Sequence, residues 1–92
     1  MAKYNDHTKY FLWCNLRKIE GVDPDEYRRD YYGHTLKWLD YGNRNSKFGW
    51  EIDHVIPEML GGTNALSNLR ALHWRPNAIH GGSLSSLINK RI

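Results

Sequence analysis

The sequence predicts a small α+β domain, and three observations carry that expectation. Asp23-Pro24-Asp25-Glu26 is a proline-led helix start. Two runs, Trp50 to Ile56 and Leu69 to Leu72, read as short strands. A short helical stretch from Trp74 to His80 follows the second run and ends at Gly81-Gly82. With 92 residues, the chain has the size of one compact unit. Its core is limited, because a chain this small buries only about 60–65% of the surface its unfolded form exposes.

The elements follow in order. Residues 1–8 are polar and are expected to fray. From Lys9 to Ile19 the apolar positions 11, 12, 13, 16 and 19 fit helical spacing, and Gly21 ends the run. Asp23 can cap a second helix, with Pro24 at its first position and Glu26 at capping-box spacing. That helix is expected to reach Tyr31 or Tyr32 and to stop at Gly33. Leu36 and Trp38 alternate with polar neighbours, as in a short strand. Residues 41–46 are a loop by composition, and so are Gly61-Gly62-Thr63-Asn64. Pro57 ends the strand that carries Trp50, Ile52, Val55 and Ile56. A last helix is expected over Ser83–Asn89, with Leu84, Leu87 and Ile88 on one face.

Composition narrows the function classes. Cys14 is the single cysteine, so an internal disulfide and a paired-cysteine zinc site are both excluded. The opening residues MAKYNDHTKY are too polar for a signal peptide. The longest apolar run, Phe11 to Cys14, is far too short to span a membrane. A soluble intracellular protein is expected. The net charge of +3 is mild, but its distribution is uneven. No acidic residue follows Glu58, whereas Arg70, Arg75, Lys90 and Arg91 do. A polyanion would meet the C-terminal part more readily, and a solvated basic surface is the plain alternative.

The chemistry concentrates between Trp50 and His80. Asp53 and His54 are adjacent, Asn68 follows 15 residues after Asp53, and Asn77 nine residues later. A hard divalent cation takes oxygen ligands, which Asp53 and the Asn77 side chain can supply. A neutral histidine can take a proton from an attacking water, and His54 is placed to do so. Its second ring nitrogen needs an acceptor, for which the Asn68 carbonyl is the candidate. Neighbours on a regular strand point to opposite faces, so Asp53 and His54 converge only where the strand ends or bulges. On the helix proposed after Leu72, His73, Asn77 and His80 can share one face.

Taken together, Asp53-His54-Val55-Ile56-Pro57, Gly61-Gly62, Ser67-Asn68-Leu69-Arg70 and His73-Trp74-Arg75-Pro76-Asn77 resemble the HNH endonuclease motif in order and spacing. Upstream, Tyr41 to Ser46, Trp50 to Ile52, and Asp23 to Asp30 are similar to small bacterial and phage members of that family. The resemblance implies a ββα-metal (His-Me finger) motif with additional N-terminal and C-terminal helices. The domain would span residues 1–92: support over 1–47, the ββα-metal motif over 48–82, and the last helix over 83–92.

By the same resemblance, Asp53 and Asn77 would ligate one divalent ion, Mg²⁺ or Mn²⁺ ahead of Zn²⁺ or Ni²⁺. His54 would be the general base and Asn68 would orient it. His73 and His80 are further candidate ligands, although His73 also suits a structural role and His80 a helix end. Arg44, Arg70 and Arg75 are candidate phosphate contacts or, alternatively, solvated or paired surface arginines. The implied reaction is hydrolysis of double-stranded DNA, leaving a 5′-phosphate, by a monomer or homodimer in a bacterial or phage-infected cytoplasm. A noncatalytic nucleic-acid-binding domain on the same fold is the alternative. The chain departs from many relatives in lacking zinc-binding cysteine pairs, and in Ala78 to Gly82 where they continue with basic and polar residues.

Overall fold

The computed structural model describes residues 4–75. Asn77, His80, most of the helix expected over 74–80 and all of that over 83–89 lie outside the described residues. Helix α1 spans Asp6–Cys14 and starts earlier than its apolar spacing suggested. The reason is Asn5, whose side-chain oxygen accepts from the Thr8 N–H at 2.8 Å and caps the helix. It also ends earlier, because the next residues are drawn into a sheet. Leu12 and Trp13 face inward from it.

Strands β1 (Arg17–Lys18), β2 (Tyr27–Arg29) and β3 (Thr35–Lys37) form an antiparallel sheet in that order. The helix expected after Asp23 is therefore corrected. The capping signal makes a single turn, in which the Asp23 carbonyl accepts from Glu26 and Tyr27 at 3.0 and 3.1 Å. The chain then becomes β2. Arg28 explains the switch, since only an extended segment delivers its guanidinium to the interior. There it is 5% exposed. It donates to the carbonyls of Pro24, Cys14 and Leu16 at 2.8, 3.1 and 3.3 Å, occupying acceptors that the end of α1 leaves open. The short strand expected at Leu36 and Trp38 is present around Leu36, but Trp38 begins a 3₁₀ turn, Trp38–Asp40.

Strands β4 (Trp50–His54) and β5 (Leu69–His73) form an antiparallel pair, with Asp53 opposite Arg70 and His54 opposite Leu69. Val55 and Ile56, expected inside the strand, lie just past its end. The core joins α1 to both sheets through Leu12, Trp13, Leu36, Trp50, Leu69 and Ala71. Trp13, Trp38 and Trp50 pack with ring centroids 5.4 to 5.7 Å apart. Each buried indole contributes at most about 4–6 kcal/mol, from roughly 150–250 Å² at 25 cal/mol per Å². The polar edges are satisfied: Trp13 donates to the Pro24 carbonyl at 2.9 Å and Trp50 to that of Trp38 at 3.3 Å.

A buried aspartate ties the two sheets together. Asp30 is 1% exposed. One carboxylate oxygen accepts from the N–H groups of Tyr32 and His34 at 3.0 and 2.8 Å, and the other from the N–H of His73 at 3.0 Å. The fold is thus mixed α and β as expected, with one α-helix and two antiparallel sheets among the described residues. No helix among them is long and apolar enough to cross a membrane.

Candidate functional site

The β4–β5 connection, residues 55–68, is the framework of the site. Pro57 starts a 3₁₀ turn, Glu58–Leu60, that ends on Gly61 in the left-handed region (φ 94°). A Cβ on Gly62 would lie 1.7 Å from the Ile56 carbonyl oxygen, so only glycine fits there. The Gly61-Gly62 pair therefore supplies both a turn and a close backbone crossing.

Asn68 locks this loop. Its side-chain oxygen accepts from the Ile56 N–H at 2.8 Å, and its amide donates to the carbonyls of Ile56 and Thr63 at 3.1 and 2.8 Å. Its own backbone carbonyl accepts from Val55 at 2.8 Å. The direct bond from His54 to Asn68 expected from the sequence is not formed, because every polar group of Asn68 that would serve is already engaged with the loop. Asn68→Ala is expected to destabilise the fold by about 2–3 kcal/mol, since buried backbone groups lose their partners. Urea denaturation measures this, and a loss under about 0.5 kcal/mol would contradict the locking role.

Asn64, which the loop presents, takes the place expected of Asn68. Its Oδ1 lies 2.7 Å from His54 Nε2. An amide oxygen only accepts, so Nε2 carries the proton and Nδ1 keeps a free lone pair. The Glu58 carboxylate stands 3.8 Å from the same nitrogen. Sequence reasoning missed both residues. Glu58 had a faint signal in its spacing of four from His54; Asn64 had none beyond its glycine-rich loop.

Asp53 occupies the neighbouring strand position. It is 5% exposed and its Oδ2 accepts from Arg70 Nε at 3.1 Å. Burial pushes its carboxyl above the ordinary value, against the opposing pull of Arg70, of the His54 ring charge and of the His54 N–H. The Tyr4 phenol is also held above its ordinary value, by burial and then by the Glu58 and Asp53 carboxylates.

The remaining candidates separate clearly. His73 is buried, with Nε2 2.7 Å from the Lys47 carbonyl and Nδ1 accepting from the Arg75 N–H at 3.0 Å. Both ring nitrogens are committed, which supports its structural role over that of a metal ligand. Arg44 forks onto Glu51, with Nη2 to Oε1 at 2.9 Å. Arg70 serves Asp53 and lies 5.6 Å from the Tyr32 ring centre. Arg75 is exposed, over the Trp74 ring.

Among the described residues, no group of three His, Cys, Asp or Glu side chains assembles that could hold a metal. Asp53 offers a single buried carboxylate. That donor set does not fit a closed protein cage, as structural zinc needs. It fits a hard cation that keeps most of its waters and takes one or two protein oxygens.

No curated protein and no solved structure was found to match the chain. Residues 42–81, which contain β4, the loop and β5, match the family model described as HNH endonuclease, and in this segment the chain is similar to that family.

Proposed function

We propose that the protein is a divalent-metal-dependent endonuclease that hydrolyses phosphodiester bonds of double-stranded DNA. The match of residues 42–81 to a nuclease family supports nuclease-like or nucleic-acid-binding work. One observation carries the catalytic reading: an imidazole held through Nε2 by Asn64, with no hydrogen-bond partner at Nδ1 among the described residues, beside a buried carboxylate. A domain that only binds nucleic acid has no use for such an oriented base.

In this reading His54 Nδ1 takes the proton of the attacking water. Asn64 fixes the tautomer and steadies the imidazolium that forms. Asp53 would hold Mg²⁺ or Mn²⁺, with Asn77 as the second ligand proposed from the sequence. The ion supplies charge stabilisation at the phosphate and at the departing oxygen. Arg70 offsets part of the burial that raises the Asp53 carboxyl pKa.

The test is relaxation of supercoiled plasmid in Mg²⁺ or Mn²⁺, alongside Asp53→Asn. Asp53→Asn is expected to lose cutting. It is also expected to lose the rise in melting temperature that the metal gives the wild type, which corresponds to about 2.7 kcal/mol at a hundredfold excess over Kd. The raised carboxyl pKa adds a pH signature. The folded state holds that proton longer than the unfolded chain, so the Asp53 contribution is largest below the ordinary value of 3.8. It falls as pH rises through the raised value. Without metal, the wild type should therefore lose stability relative to Asp53→Asn on going from acid towards neutral pH. DNA binding with no relaxation in any divalent metal would leave only the noncatalytic alternative.

A further inference from the structure

A second feature of the molecule concerns how a nucleic-acid strand would be held, and it rests on the reading just given. Arg17 and Arg29 are directly opposite each other on β1 and β2. Like charges in such a pair are destabilising unless something lies between or above them. Neither arginine has a carboxylate within ion-pair distance among the described residues, where the acidic partners go instead to Lys9, His34, Arg44, His54 and Arg70. Both guanidinium groups gather over the turn at Gly33. Arg29 Nη1 donates to the Gly33 carbonyl at 3.1 Å and reaches Thr35 Oγ1 at 3.4 Å. Arg17 Nη2 lies 3.7 Å from where a Cβ on Gly33 would stand.

The pair also lines a cleft of about 670 Å³ whose walls include Leu12, Leu16 and Leu69, and which Arg70 lines as well. Arg70 contacts Asp53. The one carboxylate lining the cleft among the described residues is Asp30. It is 1% exposed and fully used by three backbone N–H groups, so it does not neutralise the arginines. A cleft with apolar walls, an unpaired arginine couple and a link to the candidate site suits one kind of partner. Guanidinium forks match phosphate oxygens, and the apolar walls accept sugar and base faces.

We infer that Arg17 and Arg29 form a phosphate-holding station on a cleft that leads to Asp53, and that this cleft seats the backbone of the DNA being cut. The readout is binding of a short labelled DNA duplex in EDTA, followed by fluorescence anisotropy across a salt series. Arg17→Ala and Arg29→Ala should each reduce the slope of log K against log salt by about 0.9, and the double variant by about twice that. Arg17→Lys should keep the slope. Lys18→Ala, one residue on and on the opposite face, should keep it as well.

Thermal melting checks the fold of each variant. The Arg17 side chain has no hydrogen-bond or ion-pair partner among the described residues, so Arg17→Ala decides the matter should Arg29→Ala unfold. Unchanged slopes in the arginine variants, an equal drop in Lys18→Ala, tighter binding of an RNA duplex, or no DNA binding by the wild type would each overturn the inference. A plasmid assay separates it from the catalytic reading. Reduced binding in the arginine variants with no cutting by the wild type would keep the station and remove the nuclease. Cutting by the wild type with unaltered binding in the variants would do the reverse.

Discussion

His54→Ala should relax supercoiled plasmid at least about a hundredfold more slowly than the wild type in Mg²⁺ or Mn²⁺, since a positioned general base contributes about 10²–10⁴-fold. The effect should fall on the chemical step and leave the fold intact. His54 sits at the last position of β4, half-buried, and among the described residues its ring bonds only to the loop. Its removal should therefore shift stability by less than about 1 kcal/mol. DNA binding in EDTA should persist in the variant. Cutting at the wild-type rate would remove His54 from the mechanism. Cutting lost together with the melting transition would mean that the ring serves the structure.

Asp30→Ala should be the most destabilising single change outside the tryptophan core, at about 3–5 kcal/mol, comparable with breaking a buried charged network. Three backbone N–H groups lose their acceptor, including that of buried His73 in the β4–β5 hairpin. That is a large fraction of the about 5–15 kcal/mol by which a domain is stable. Asp30→Asn keeps one oxygen but turns an amide donor toward N–H groups, so it should lie between the wild type and Asp30→Ala. Urea denaturation of the three proteins orders them. A loss below about 1 kcal/mol for Asp30→Ala would show that water satisfies these groups as well as the carboxylate does.

How much of this was legible in the sequence depended on the range of the forces involved. The β4 and β5 strands and the loop between them follow from local pattern and turn chemistry and are present, although β4 ends at His54, before the expected stop at Pro57. The helix after Asp23 failed for a nonlocal reason. Its capping residues do form a turn, but Arg28 is held by carbonyls from Cys14 and Leu16, which the local pattern of Asp23 to Tyr32 does not include. Asp30 was read only as one acid among several near the N-terminal half, because its partner His73 is 43 residues away. In the candidate site, the adjacent Asp53 and His54 are what the proposed chemistry was read from. The partner of His54 was not legible in the same way, because Asn64 and Asn68 offer the same functional group and only the loop path decides which one reaches the ring.

The distribution of aromatic rings has a practical consequence for experiments. Trp13, Trp38 and Trp50 share one cluster between α1 and the two sheets. The loop from Val55 to Asn68 contains no tryptophan, tyrosine or phenylalanine. The fourth tryptophan, Trp74, donates to the Ser46 carbonyl at 2.8 Å, so intrinsic fluorescence reports the cluster and the end of β5, with no emitter in the loop beside His54. A variant whose emission is native but whose cutting is lost keeps its scaffold, and its fault lies outside the tryptophan cluster. A single tryptophan introduced at Met59, 73% exposed and on that loop, would give the silent segment an optical signal of its own.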